Sequence, residues 1–292
     1  MKHAIITALA LAISASAAIP AHPGTINYIE GQVSIDGQSL TPKSIGTVDL
    51  QPGATLRTDS GKAEILLTPG VFLRLGSNSE VRLVNAGLTD TRVAINRGKA
   101  LVEASEVHKE NHIQIADNKL TTDIKQHGLY KFDADGNSVA VFDGKADVRE
   151  GDEKIEVKKG KEVDADDARL EPKKFDRDEA KKNDDLYQWS SVRSKYLAEA
   201  SEAATNRIVV HQRSLWGNPG WYWDPFWGTY SWLPGSAFVS PFGYSYYSPW
   251  SYYRTPAIIV PRHRFYTRPA YRAPGFYRGG AIRGGMRGGR GR

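Results

Sequence analysis

Apolar and polar residues alternate in short bursts from residue 24 to residue 168. In GTINYIEGQVSIDG the apolar positions are Ile26, Tyr28, Val33 and Ile35, with turn residues at Gly31 and Asp36-Gly37. VDLQPGATLRT sets Val48, Leu50 and Leu56 around Pro52-Gly53. AEILLTPGVFLRLGSNSEVRLV reads as three strands cut at Pro69-Gly70 and Gly76-Ser77-Asn78, and RVAINRGKALVEAS as two strands about Arg97-Gly98. The same rhythm runs through HIQIADNKLTTDI, LYKFDADGNSVAVFDGKADV and KIEVKKGKEV. Asp117-Asn118, Asp135-Gly136, Asp143-Gly144 and Lys159-Gly160 mark its joints. A period of two, broken by turn pairs at short intervals, predicts an all-β unit of short strands. No helical pattern intervenes, which argues against a parallel sheet joined by crossover helices. Periodicity leaves open whether the strands close as an antiparallel sandwich or stack as a solenoid.

The period then changes. Leu186, Trp189, Val192, Tyr196, Ala200 and Ala203 recur at steps of three and four, which predicts one amphipathic helix within residues 169–210. Asp176, Asp178 and Glu179 stand where acids favour a helix start. Trp189 and Tyr196 are bulky enough to predict docking on the β-unit, a free-standing linker helix being the alternative. Residues 211–253 are rich in Trp, Tyr, Pro and Gly, and six of the seven tryptophans fall between 216 and 253. In GWYWDPFWGTYSWLPG, residues 220–235, the prolines and glycines interrupt the chain before a helix or strand is expected to run. The expectation for this stretch is irregular structure, partly packed on the β-unit and partly displayed as an aromatic patch to a membrane surface or another protein. Residues 254–292 end in RGGAIRGGMRGGRGR and are expected to be disordered.

Charge sharpens the division. From His211 onward there are eleven Arg, no Lys and one acid, Asp224, a balance of +10. The whole chain carries +6, which leaves −4 for residues 1–210. An acidic body therefore precedes a basic, aromatic tail. The N-terminal MKHAIITALALAISASAA has the layout of a signal peptide over residues 1–18, with Lys2 and His3, an apolar run from Ala4 to Ile13, and Ala15-Ser16-Ala17 for cleavage. The protein is expected to be exported and periplasmic or cell-surface associated, with no transmembrane span after cleavage. The alternative is an uncleaved N-terminal anchor. The chain contains no cysteine, so neither disulfides nor thiolate chemistry can operate in it.

Candidate chemistry is sparse. His108 and His112 stand four apart, but between expected strands and without a third ligand, and read as a polar loop. Asp164, Asp166 and Asp167 lack the glycine and terminal glutamate of a calcium loop and read as a solvated charge run. No Gly-x-Ser-x-Gly elbow with a placed histidine and no phosphate-binding glycine loop occurs. The sequence is thus read as non-catalytic, with no cofactor, no metal and no small-molecule substrate.

The β-region resembles the FecR domain, a periplasmic module of regulators that relay iron-siderophore uptake signals. Arg92–Ala104 is similar to that family's central strand pair, Val139–Val148 to its "V-x-V-x-x-G-x-V-x-V" hairpin, and Val157–Val163 to its closing "L-x-x-G-x-x-V" turn. Val71–Val81 resembles its "V-x-L-x-x-x-S-x-V" stretch, and Gly128-Leu129-Tyr130-Lys131-Phe132 stands where the family commonly has Gly-Thr-x-Phe. The resemblance implies a β-domain over residues 24–168 and an envelope location. Typical regulators also carry a cytoplasmic segment and a transmembrane helix, in whose place this chain has its signal peptide.

The preferred reading is a binding or scaffolding module of the envelope whose Arg/aromatic tail contacts an anionic surface or partner. Trp221, Trp223, Trp227, Trp232, Arg262, Arg264, Arg268 and Arg272 are the candidate contact residues. Arginine forks grip phosphate and carboxylate, and aromatic faces stack, so an envelope protein or an anionic envelope polymer suits them. Export argues against nucleic acid as the normal partner, although an RGG-like tail has the chemistry for it. The alternative reading is a sensory accessory protein in FecR-type transmembrane signalling at an outer-membrane receptor.

Overall fold

The computed structural model describes residues 21–210 and 220–249. The signal peptide expected over residues 1–18 and the disorder expected over residues 254–292 fall outside the described residues. Seventeen of the strands form two large sheets. The first holds, in spatial order, β1 (Ile26–Glu30), β5 (Lys62–Leu66), β6 (Val71–Leu75), β9 (Lys99–Ala104), β12 (Gly128–Asp133), β13 (Ser138–Asp143), β16 (Lys161–Asp164) and β17 (Lys173–Lys174). The second runs β15 (Glu153–Lys158), β14 (Lys145–Glu150), β11 (Thr121–Ile124), β10 (His112–Ala116), β8 (Asp90–Arg97), β7 (Ser79–Ala86), β4 (Thr55–Thr58), β2 (Val33–Ile35) and β3 (Gln38–Ser39).

One apolar cluster joins them. Ile65, Leu73 and Val102 from the first sheet meet Val81, Val93 and Ile113 from the second, so the sheets face each other as a sandwich. Strand numbers rise almost monotonically across both sheets, because the chain lays one to three strands in one sheet and then crosses to the other. The sandwich and solenoid readings are each partly right: two facing sheets are built by a solenoid-like advance. All pairings are antiparallel except β8 with β10, which run parallel because β9 crosses to the first sheet between them.

The turn between β5 and β6 shows how local sequence sets this path. Val71 N donates to Thr68 O at 2.8 Å, with Pro69 second and Gly70, at φ +81°, third. That is the residue order of a type II turn, which needs positive φ at its third position.

Behind the sandwich the expected single helix is two. α1 (Arg177–Asn183) and α2 (Asp185–Val210) are separated by Asp184, which is extended at φ −95° and ψ 106°. Its carboxylate accepts from Tyr187 N at 2.9 Å and pairs with Lys131 on β12. A residue that caps one helix and anchors to the sheet cannot also continue the previous helix.

α2 docks on the outer face of the first sheet, by a face that only partly coincides with the stripe expected from sequence. Leu186 and Ala200 of that stripe are buried, but Val192 is 67% exposed, and the buried face is completed by Ser190, Arg193, Ser194, Leu197, Ala198, Ser201, Ala204 and Thr205. The reason lies beneath it. β5, β6 and β9 bury both faces, and their outer face carries Glu64, Arg74 and Glu103, each wholly buried. Glu64 pairs with Arg74 across the ladder, and Glu103 sits opposite Phe72, diagonal to Arg74. Arg74 Nε donates to Glu64 at 2.7 Å and its Nη1 donates to Glu103 at 2.6 Å. From α2, Arg193 donates to Glu64 at 2.8 Å and Ser194 to Glu103 at 2.8 Å. A charged sheet face selects a helix face of arginine and small hydroxyls.

Burial alone would raise the Glu64 carboxyl. Arg193 and Arg74 outweigh burial and hold it at about 2, against an ordinary 4.5. Removing Arg193 strands that carboxylate in the interior, so Arg193→Met is expected to lose about 3–5 kcal/mol in denaturant unfolding. The double variant Glu64→Gln/Arg193→Met should lose clearly less; a loss equal to the sum of the two single variants would show that the pair does not act as a unit.

Asp117 behaves oppositely. Its Oδ1 accepts from Lys119 N and Leu120 N in the turn between β10 and β11. Burial, with a smaller push from Asp133, nevertheless raises the carboxyl to about 6 from an ordinary 3.8. A raised folded pKa means that ionisation opposes folding above pH 6, and that the penalty fades as pH falls towards 4. Asp117→Asn is expected to raise stability at pH 7.5 by up to about 3 kcal/mol, with no gain below pH 4 in the same melts.

Candidate functional site

The sequence-predicted aromatic residues sit on a hairpin where irregular structure was expected. β18 (Gly220–Asp224) pairs antiparallel with β19 (Thr229–Leu233), in the register Trp221 to Trp232 and Trp223 to Tyr230. Pro225 and Gly228 do not break these strands because they fall between them, in the loop that reverses the chain. Asp224 organises that loop. Its Oδ1 accepts from Phe226 N at 2.9 Å and Trp227 N at 3.2 Å, its backbone oxygen accepts from Gly228 N at 2.7 Å, and its carboxylate pairs with Arg207 of α2.

β19 is buried along its whole length, because it lies against the sandwich and α2. Asn27 of β1, itself fully buried, is the clamp. Its side-chain oxygen accepts from Tyr230 N at 2.7 Å and from the Thr229 hydroxyl at 2.9 Å, while its amide donates to Glu64 at 2.9 Å. Ser201 of α2 donates to Trp232 O at 2.7 Å. The hairpin is thereby tied to the ion network under the helix. A second, two-residue pairing follows between β20 (Phe238–Val239) and β21 (Ser245–Tyr246), and the Tyr246 hydroxyl donates to Ser194 O at 3.3 Å.

The candidate tryptophans have separate fates. Trp232 is 1% exposed and fills the cluster with Leu66, Phe72 and Leu197. Trp221 is half-buried and meets Phe72 edge-on at 5.0 Å between ring centres. Trp223 lies so close to Gly46 that a Cβ there would come within 2.7 Å of its ring. Trp227 stacks edge-on with Tyr196 at 4.8 Å. Arg262, Arg264, Arg268 and Arg272 lie outside the described residues.

The side chains displayed are ones that sequence reasoning passed over. Phe226 at the hairpin tip is 63% exposed and Tyr222 is 45% exposed, beside the partly exposed Trp227. The signal for Phe226 was its place in the loop between two alternating aromatic runs. Tyr222 is the odd member of Trp221-Tyr222-Trp223, and so points away from the face that packs.

A shallow cleft of ≈ 260 Å³ opens at one end of the sandwich, between Pro69, Leu88, Glu106, His108, Asn111 and the edge of Trp232. Its walls are fastened: Asn111 donates to Leu88 O at 2.8 Å, and Ser105 N to Gly70 O at 2.8 Å. His108 and His112, four apart in sequence, take different partners. His108 lies 3.4 Å from Glu106, while His112 begins β10 and lies between Asp90, at 2.7 Å, and Asp123, at 3.3 Å. Asp166 is paired with Lys119 and Asp167 with Lys173. Among the described residues no group of three or more His, Asp or Glu is placed to hold a metal ion. Nor is any helix there long and apolar enough to cross a membrane.

Comparison with known proteins gives a family-model match over part of the chain and a partial structural likeness. Two crystal structures of a candidate anti-sigma factor from Parabacteroides distasonis ATCC 8503 overlap it. One is 12% identical with a TM-score of 0.37, covering 47% of this chain and 63% of that one. The other is 13% identical with a TM-score of 0.36, covering 46% and 61%. The chain thus spans less than two thirds of the length of those structures. A search of curated proteins finds no match. The family model described as FecR protein matches residues 54–147, which run from the approach to β4 into β14. Residues 54–147 are thus similar to the FecR family, and they lie wholly inside the two-sheet sandwich.

Proposed function

We propose that this protein is a non-catalytic, exported binding or scaffolding module of the cell envelope, in which an Arg-rich C-terminal segment attaches a FecR sandwich to an anionic surface or partner. The observation that carries this reading is the separation of roles within the C-terminal segment. Residues 220–249 contain a single charged residue, Asp224, and it is buried and paired with Arg207. Ten arginines and no acid follow in residues 254–292. The aromatic part closes the sandwich, and the cationic part supplies the chemistry for phosphate and carboxylate groups. Residues 1–210, with a balance of −4, compete for those arginines, which favours a partner that presents a dense array of negative charge.

A second reading, a sensory accessory role in FecR-type signalling with a protein partner, is favoured by the FecR match at residues 54–147. The two readings place recognition in different parts of the chain. Deleting residues 254–292 leaves the hairpin in place, whereas a cut at 211 would strip β19 from the sandwich and Asn27 of its partners. Binding of the full chain and of the 254–292 deletion to isolated envelopes, measured across a salt series, separates them. The full chain is expected to bind with steep salt dependence, and the deletion to lose that binding. Equal, salt-insensitive binding by both would move recognition to the sandwich and put the sensory reading ahead.

A further inference from the structure

The tip of the β18–β19 hairpin displays more apolar surface than closing the sandwich requires. Phe226 is 63% exposed and Tyr222 45% exposed; Pro225 is exposed, and Trp227 partly so. We propose that this tip is a lipid-contact site, which seats Phe226, with Trp227 and Tyr222 beside it, in the interfacial layer of an anionic bilayer.

Three observations carry the assignment. The tip is held rigid before it meets anything: Asp224 fixes the loop through Phe226 N, Trp227 N and Gly228 N, Arg207 pairs with Asp224, and the Tyr196 hydroxyl donates to Trp227 O at 2.9 Å. A preformed knob gives up little conformational freedom on insertion. The polar groups that hold the tip are engaged by its own chain, so the surface offers ring faces and edges where a protein or sugar partner would draw on a polar rim. Aromatic side chains of this kind settle at the headgroup level of a bilayer.

The third observation is charge. Asp224, the lone ionised group of residues 220–249, is buried, so nothing in that segment repels an anionic headgroup. The sequence beyond residue 253 adds ten arginines without an acid. A few exposed rings bind a membrane weakly, and stable attachment takes a second signal such as a polybasic stretch. This part of the argument rests on the anionic-partner reading above; the ring contact does not.

Flotation of the full chain with vesicles tests it, using phosphatidylcholine alone and phosphatidylcholine mixed with phosphatidylglycerol. Partition into the mixed vesicles is expected, and Tyr222→Ser/Phe226→Ser should lower it at least about tenfold. The single Phe226→Ser, at the more exposed site, should show most of that loss. Both variants should keep the parent melting temperature and its retention on a polyanion resin. Substituting Arg262, Arg264, Arg268 and Arg272, four of those ten arginines, by Gln should instead weaken the dependence on phosphatidylglycerol. Unchanged partition of the double variant overturns the tip as the contact. A parent that ignores all vesicles yet binds envelopes with steep salt dependence overturns the lipid site and leaves the anionic-partner reading standing. Envelope binding abolished by prior protease treatment of the envelopes assigns the tip to a protein and overturns the proposal. Failure on vesicles, resin and envelopes together removes both readings.

Discussion

Two carboxylates, Glu64 and Glu103, stand on a sheet face from which water is excluded, and the rest of the molecule is arranged to keep them there. Arg74 lies between them and bonds to both, which leaves the sheet one positive charge short. α2 supplies it through Arg193. Once the helix is fixed by that pair, Ser194 and Ser201 bring in Glu103 and the backbone of β19, and Asn27 ties β19 to Glu64. A buried ion network of this kind adds less stability than an apolar face of equal area. What it does fix is position, since each charge accepts few alternative partners.

The consequence for function is a closed face. The first sheet is shielded on its outer side by α2 and the aromatic hairpin, through contacts such as Leu66 and Phe72 with Leu197, Tyr230 and Trp232. The second sheet keeps a polar outer face whose charges are largely matched, as Lys145 is with Glu156, Arg149 with Asp123 and Arg57 with Glu80. Among the described residues, the hairpin tip and the shallow cleft beside Leu88 stay uncovered. The sandwich is completed on the outer side of its first sheet by residues 185–208 and 220–249 of the same chain.

Much of the sandwich was legible because its signals are local. Alternation in Val81, Leu83, Val93 and Ile95, and turn residues such as Pro69-Gly70, depend on neighbours in sequence. The docking face of α2 was legible only in part. Leu186 and Ala200 are buried as their spacing suggests, but Val192 is exposed, because Glu64 and Glu103, which lie about ninety or more residues away in sequence, draw Arg193 and Ser194 inward instead. Nothing local to Glu64 or Glu103 marks them as partners for a helix. The hairpin was missed for a different reason. Pro225 and Gly228 were read as breakers of a strand, whereas they sit between two strands and make the pairing of Trp221 with Trp232 feasible. Asp224 was the cue, since an aspartate before a proline and a glycine is turn chemistry.

The central claim is that α2 and the aromatic hairpin belong to the fold of the sandwich and are not an appendage resting on it. Native-state hydrogen exchange of the full chain measures this directly, because amides that open only with global unfolding share one protection level. The account predicts that the amides of Tyr230–Trp232 in β19 and those of Arg193–Leu197 in α2 exchange as slowly as those of Leu73 and Val102 in β6 and β9. Rapid exchange of β19 and α2 over a sandwich that remains protected would contradict it.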